Sequence, residues 1–188
     1  MYGVLAEADS DADFLRCMIR RLAGRPVPVK KHAFHGGAKL LKDGAQKLRL
    51  MHSLGASRFV ICHDADGVDV ETRRVEVIEK VRSKVSFNGT FCILIPKQEL
   101  EAWILADLDA VSKVISSFRP RDKFPHPENV DDPKEKLEKL CSSGCRPLYS
   151  HAVHNAKVAE YLDLGIVLNK CPSFEPLDAL IRRSEGNC

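Results

Sequence analysis

Short apolar runs alternate with amphipathic stretches through the first half of the chain, and after Pro96 the pattern becomes helical throughout. Residues 2–6 read as a buried strand. Residues 11–22 read as a helix with Phe14, Leu15, Met18, Ile19 and Leu22 on one face. Ser10 stands where it could cap that helix. Residues 27–34 form a weaker strand, because Pro28 removes a ladder donor and points to a sheet edge. Gly36-Gly37 opens a helix running through Met51. Residues 58–62 are a clear buried strand, followed by a helix over 70–84, a turn at Asn88-Gly89, and a strand over 91–95 that Pro96 stops. Strands alternating with helices make βαβ units on a parallel sheet.

Beyond Pro96, helices are expected over 99–106, 108–117, 134–141, 154–162 and 174–183. The segment 119–133 holds four prolines and reads as a loop. The expected organisation is an α/β core over 1–107 with a helical extension, 108–188, packed on it. No internal repeat or low-complexity tract interrupts either part.

With 188 residues, 44% of them apolar, the chain can bury a sizeable core. The net charge of +3 excludes neither nucleic acid nor neutral partners, so local clusters matter more. Arg20-Arg21 with Arg25, then Lys30-Lys31, Lys39, Lys42, Lys47 and Arg49 are such clusters. They suit phosphate contacts, and Lys39 to Arg49 equally suits a solvated helix face. Seven cysteines without a CxxC pair point to a reduced, cytoplasmic protein. The start of the chain turns acidic at Glu7, unlike a signal peptide. No apolar run reaches the ~20 residues a membrane span needs.

The acidic residues narrow the chemistry. Glu7 follows the first strand directly, and Asp64 and Asp66 follow the third. Parallel strands end along one edge, where open α/β sheets bind their ligands. Asp11 lies one helical turn beyond Glu7, and Glu99 and Glu101 follow the fourth strand. Carboxylates ~4 Å apart repel by roughly 4 kcal/mol per pair at an effective dielectric of 20. A cluster of them therefore stays ionised around a cation, and hard oxygen donors select Mg²⁺, Mn²⁺ or Ca²⁺. The carboxylates of Glu7, Asp64 and Asp66 are expected within reach of one cation. Asp13, Asp69 and Asp107 read instead as helix-start residues.

Glu7-Ala-Asp-Ser-Asp11-Ala-Asp-Phe14-Leu15 resembles the first motif of the Toprim family, with Ala8 in place of its glycine. His63-Asp64-Ala65-Asp66-Gly67 resembles that family's Asp-x-Asp motif. Gln98-Glu99-Leu-Glu101-Ala-Trp103 and the Ser173-Phe174 segment resemble a subgroup of small Toprim-like proteins related to OLD-type nucleases. The resemblance covers nearly the whole chain. It implies a Rossmann-like parallel sheet and a metal-dependent nuclease of the kind used in phage defence. It also implies Mg²⁺ or Mn²⁺ held by Glu7, Asp11, Asp64, Asp66 and either Glu99 or Glu101. Its catalytic residues would be Glu7, Asp64 and Asp66, with a lysine near the cleaved phosphate. The Tyr149-Ser150-His151 position often carries that lysine in the subgroup, leaving His151 or Lys157 as substitutes here. DNA, more than RNA, would be the substrate, and an ABC-type ATPase a partner. A non-catalytic module that binds metal or nucleic acid is the alternative, since Ala8 adds a methyl group where glycine allows close approach.

Other signals change less. Trp103 is expected to pack against the sheet rather than stack on a base. Cys141, Cys145, His151 and His154 are too closely spaced for a common zinc finger. His63 either orients the acidic site or is a structural core histidine. Gly36-Gly37 lacks the Lys-Ser/Thr element of a phosphate loop.

Overall fold

The computed structural model describes residues 1–142 and 145–186. Four strands, β1 (Tyr2–Ala6), β2 (Val29–Ala33), β3 (Arg58–Cys62) and β4 (Thr90–Leu94), form an all-parallel sheet in the order β2-β1-β3-β4. The order follows from composition. β1 is buried along its whole length, as a central parallel strand requires, whereas Val-Lys-Lys-His-Ala of β2 is half-exposed at an edge. Pro28 lies just outside β2, and its carbonyl accepts the Tyr2 amide at 2.9 Å. In register, Ala6 pairs with Ala33, Leu5 with Ile61, and Cys62 with Leu94, so every strand ends along one edge.

Alternating side chains supply two cores. Val4, Ala6, Val60 and Cys62 face one side with α1 (Asp9–Ala23), and Leu5, Phe59 and Ile61 face the other. That second side is covered by α2 (Gly37–Ser53) and α3 (Val70–Lys80). The expected helix over 70–84 breaks after Lys80 into a 3₁₀ turn, Arg82–Lys84. Ser10 does not cap α1. The cap position is Ala8, whose amide donates to the Asp11 carboxylate at 3.2 Å, and Ser10 lies inside the first turn.

The C-terminal helices join α1 on its side of the sheet. They are α4 (Glu101–Ala106), α5 (Leu108–Val114), α6 (Pro133–Ser142), α7 (His151–Ala159), α8 (Leu164–Lys170) and α9 (Glu175–Glu185). α8 was not expected; Asp163 caps it by accepting the Gly165 and Ile166 amides at 2.9 and 3.0 Å. The proline-rich loop carries a 3₁₀ turn, Pro127–Asn129. Trp103 is fully buried between Phe14 and Phe174, with ring centroids 6.0 and 5.0 Å away. Its indole N–H donates to the Ser173 hydroxyl at 2.8 Å, so Ser173-Phe174 locks α4 to the end of the chain. No helix among the described residues is long and apolar enough to cross a membrane.

Candidate metal centre

The shared strand edge brings the acidic residues together. Glu7 leaves β1, Asp64 and Asp66 leave β3, and Glu99 and Glu101 follow β4 into α4; Asp11 projects from the first turn of α1. All six line one pocket of about 280 Å³, together with Lys134 and Gly36. Asp66 takes a left-handed conformation, φ 49°, followed by Gly67 at φ 76°. That turn folds the chain back after β3 and keeps both aspartates at the edge; Asp tolerates it better than most residues.

One oxygen of Glu7 is held from two sides. Oε1 accepts the Asp64 amide at 3.0 Å and lies 2.8 Å from His63 Nδ1. The Asp64 carbonyl, 2.9 Å away, is the other neighbour of that nitrogen. Both neighbours are acceptors, so Nδ1 carries a hydrogen. His63 is 3% exposed, and its Nε2 has no hydrogen-bond partner. That side of the ring is closed by Gly37, where a Cβ would stand 2.7 Å from His63 Cε1 and 3.0 Å from Glu7 Oε2. His63 thus orients the acidic site, one of its two expected roles, and glycine at 37 is what gives it room.

Three of the remaining carboxylates, Asp11, Glu99 and Glu101, also hold internal partners. Asp11 accepts from Ala8 and from the Ser10 hydroxyl, each at 3.2 Å. Glu99 accepts the Lys134 amide at 3.0 Å, capping α6 from a distance. Glu101 is 4% exposed and accepts from Asn155 Nδ2 at 2.9 Å, while Asn155 accepts from the Tyr149 hydroxyl. This buried chain fixes the Glu101 rotamer.

Charge confinement is visible in the acidities. Burial and then the neighbouring charges of Asp11 and Glu7 push Asp64 well above the usual carboxyl range. Burial raises Asp11 to about 6. It raises Glu99 and Glu101 too, each with a contribution from an acidic neighbour. Glu7 goes the other way: burial raises it, but the His63 hydrogen bond and charge and the Asp64 amide together hold it below its ordinary value.

The expectation that Glu7, Asp64 and Asp66 stand within reach of one cation is not met. Among the described residues, no three His, Cys, Asp or Glu side chains converge closely enough to hold a metal ion as they stand. Glu7 is instead turned to His63 and the Asp64 amide, which fix it away from a shared point. The chemistry of the donor set does fit a hard divalent cation: six carboxylates, all oxygen, on one partly buried pocket. Glu7, Asp11, Asp64, Asp66 and Glu101 could hold it, with Glu99 committed to the α6 amide.

His151 and Lys157 are not at this pocket. His151 lies 3.6 Å from Glu138, and Lys157 is exposed on α7. The residue of that helix that reaches the acidic side chains is Asn155, through its hydrogen bond to Glu101. The cation of the pocket is Lys134, and the sequence did carry a signal for it. Lysine in a first helical turn is disfavoured by the helix dipole, so Lys134 directly after Pro133 invites an acidic neighbour as its reason.

A family model described as a domain of unknown function, DUF4276, matches residues 6–180. No curated protein and no solved structure matched the chain. The match takes in the acidic pocket, both faces of the sheet and nearly all of the helical part, and the chain belongs to the DUF4276 family.

Proposed function

We propose that this chain is a cytoplasmic, divalent-metal-dependent nuclease that hydrolyses phosphodiesters of DNA, the reading that the Toprim resemblance implies. The observation that carries it is that Glu7, Asp11, Asp64, Asp66 and Glu101 line one pocket together with Lys134. Bound Mg²⁺ or Mn²⁺ would supply positive charge to the attacking and leaving oxygens. The protein's own residues do the positioning. Glu7 is fixed by His63 and the Asp64 amide, and Glu101 by Asn155, so both carboxylates are oriented before substrate arrives. Lys134, beside the carboxylates, is placed to offset the charge of a phosphate entering the pocket.

Plasmid and single-stranded DNA incubated with the purified chain in Mg²⁺ or Mn²⁺, with EDTA controls, test this reading. Metal-dependent cleavage lost in Asp64→Asn supports it; EDTA-resistant cleavage, or none in any metal, sinks it. The second reading is a non-catalytic module that binds metal or nucleic acid. It is favoured by Ala8, a lining residue of the pocket where the resembled motif has glycine. Metal binding without cleavage would favour it.

A further inference from the structure

A second, larger groove of about 620 Å³ runs beside the acidic pocket, between the C-terminal part of edge strand β2 and one face of α2. Its volume is in the range of roughly 300–1,000 Å³ typical of ligand sites. The lining has two characters. Leu50, 48% exposed, presents the apolar surface, while Phe34 is buried at the groove's base and the His32 ring stands edge-on to it at 4.6 Å. Lys39 and Lys47, two helical turns apart on α2, supply positive charge, and Asp43 is the one carboxylate among the lining residues. Burial and then the Lys47 charge disfavour protonation of His32, with Asp9 opposing them, so Lys47 acts on the ring across the groove. His35 lines both this groove and the acidic pocket, so the two adjoin at that residue.

The groove's occupant should be a polyanion carrying flat apolar groups. Single-stranded nucleic acid has both, with phosphates for the lysines and exposed base faces for Leu50 and the His32 ring. A duplex hides its base faces in the stack, and a run of Asp and Glu carries charge without flat rings. We propose that this groove seats a single-stranded stretch of the DNA substrate and leads its backbone past His35 into the carboxylate pocket. The inference rests on the nuclease reading for the choice of DNA.

The test is fluorescence anisotropy of a labelled thymidine oligonucleotide of about 16 nucleotides. It is run in Ca²⁺ over a salt series, with a gel confirming that the oligonucleotide stays intact. In the K39E/K47E variant, Kd should rise about 10-fold, and the slope of log K against log salt should shrink by about 1.4, the share of two single-strand phosphate contacts. A matched reversal at Lys113 and Lys123, which line neither cavity, should change Kd less than about 2-fold. Circular dichroism checks folding, and K39A/K47A should weaken binding in the same direction. Equal losses in both reversed pairs, or no loss in K39E/K47E, would overturn the proposal. So would a blunt duplex bound as tightly as the single strand, or polyglutamate competing as well as the oligonucleotide. The two readings fail separately. Groove variants that bind and cut like wild type remove the groove and leave the nuclease; groove-dependent binding without cleavage in any metal does the reverse.

Discussion

The Asp64 amide donates to Glu7 Oε1 at 3.0 Å, tying the end of β3 to the end of β1 across the sheet edge. His63, the residue just before Asp64, holds the same oxygen from the other side at 2.8 Å. One carboxylate is thereby anchored by backbone and imidazole together, while its neighbours are crowded against it. The pocket is built to hold negative charge in place.

Relief of that crowding is measurable without any activity. A ligand that binds only the folded state stabilises it by about 2.7 kcal/mol at 100 times Kd, which for a chain of this size raises Tm by roughly 5–10 °C. Millimolar Mg²⁺ or Mn²⁺ should produce such a rise in differential scanning fluorimetry. Asp64→Ala should abolish the response and, in EDTA, melt no lower than wild type, because it removes one of several repelling carboxyls. A metal-induced rise that survives Asp64→Ala would place the ion elsewhere.

Glu99 and Glu101 should separate. Glu101 is free of backbone duty and fixed by Asn155, whereas Glu99 caps α6. We expect Glu101→Gln to lower cleavage at least ~100-fold, as Glu7→Gln and Asp66→Asn should, with folding intact. Glu99→Gln should cost stability of about 1 kcal/mol and much less activity. The reverse ranking in single-turnover cleavage would reassign the ligand.

Gly37→Ala is diagnostic because helix propensity predicts the opposite. Elsewhere in a helix the change stabilises by about 0.5–1 kcal/mol. Here the new methyl group would stand 2.7 Å from His63 Cε1 and 3.0 Å from Glu7 Oε2. Chemical denaturation should report a loss of about 1–3 kcal/mol. The metal-induced Tm rise should shrink with it, since the His63–Glu7 pair must move. A more stable Gly37→Ala protein would refute this packing.

The pH dependence of stability should show the clamp at the opposite edge of the sheet. Glu185 of α9 accepts the Tyr2 hydroxyl at 2.7 Å and pairs with Arg25 and Arg58. The Tyr2 hydrogen bond, with Arg25 and Arg58, holds its pKa below the ordinary glutamate value. A depressed folded-state pKa gives stability that is present above the unfolded value, ~4.3, and is lost as pH falls through the folded value. Tyr2→Phe should therefore flatten the decline in urea midpoint below about pH 4.5. An unchanged acid limb would show that the contact contributes nothing.

The strands were readable because the local signal and the tertiary demand coincide. β1 and β3 are short continuous apolar runs, and only a two-sided interior accommodates such runs. Parallel topology then puts the residue after each strand on one edge, so Glu7, Asp64, Asp66, Glu99 and Glu101 could be grouped before any coordinates. Asp163 is a cap before an apolar run, but α8 has only 7 residues, too short for its period to stand out.

Lys134, Asn155 and Gly37 belong to the tertiary structure. Lys134 meets Glu99 across 35 residues, and Asn155 meets Glu101 across 54. Neither meeting has a local period, because the way α6 and α7 dock on α1 and α4 depends on the packing of all their buried side chains at once. The sequence by itself determined which acidic residues share an edge, since strand direction alone decides that. Which carboxylate is free, which is spent as a cap and which cation faces them depend on distances between elements that no single segment encodes.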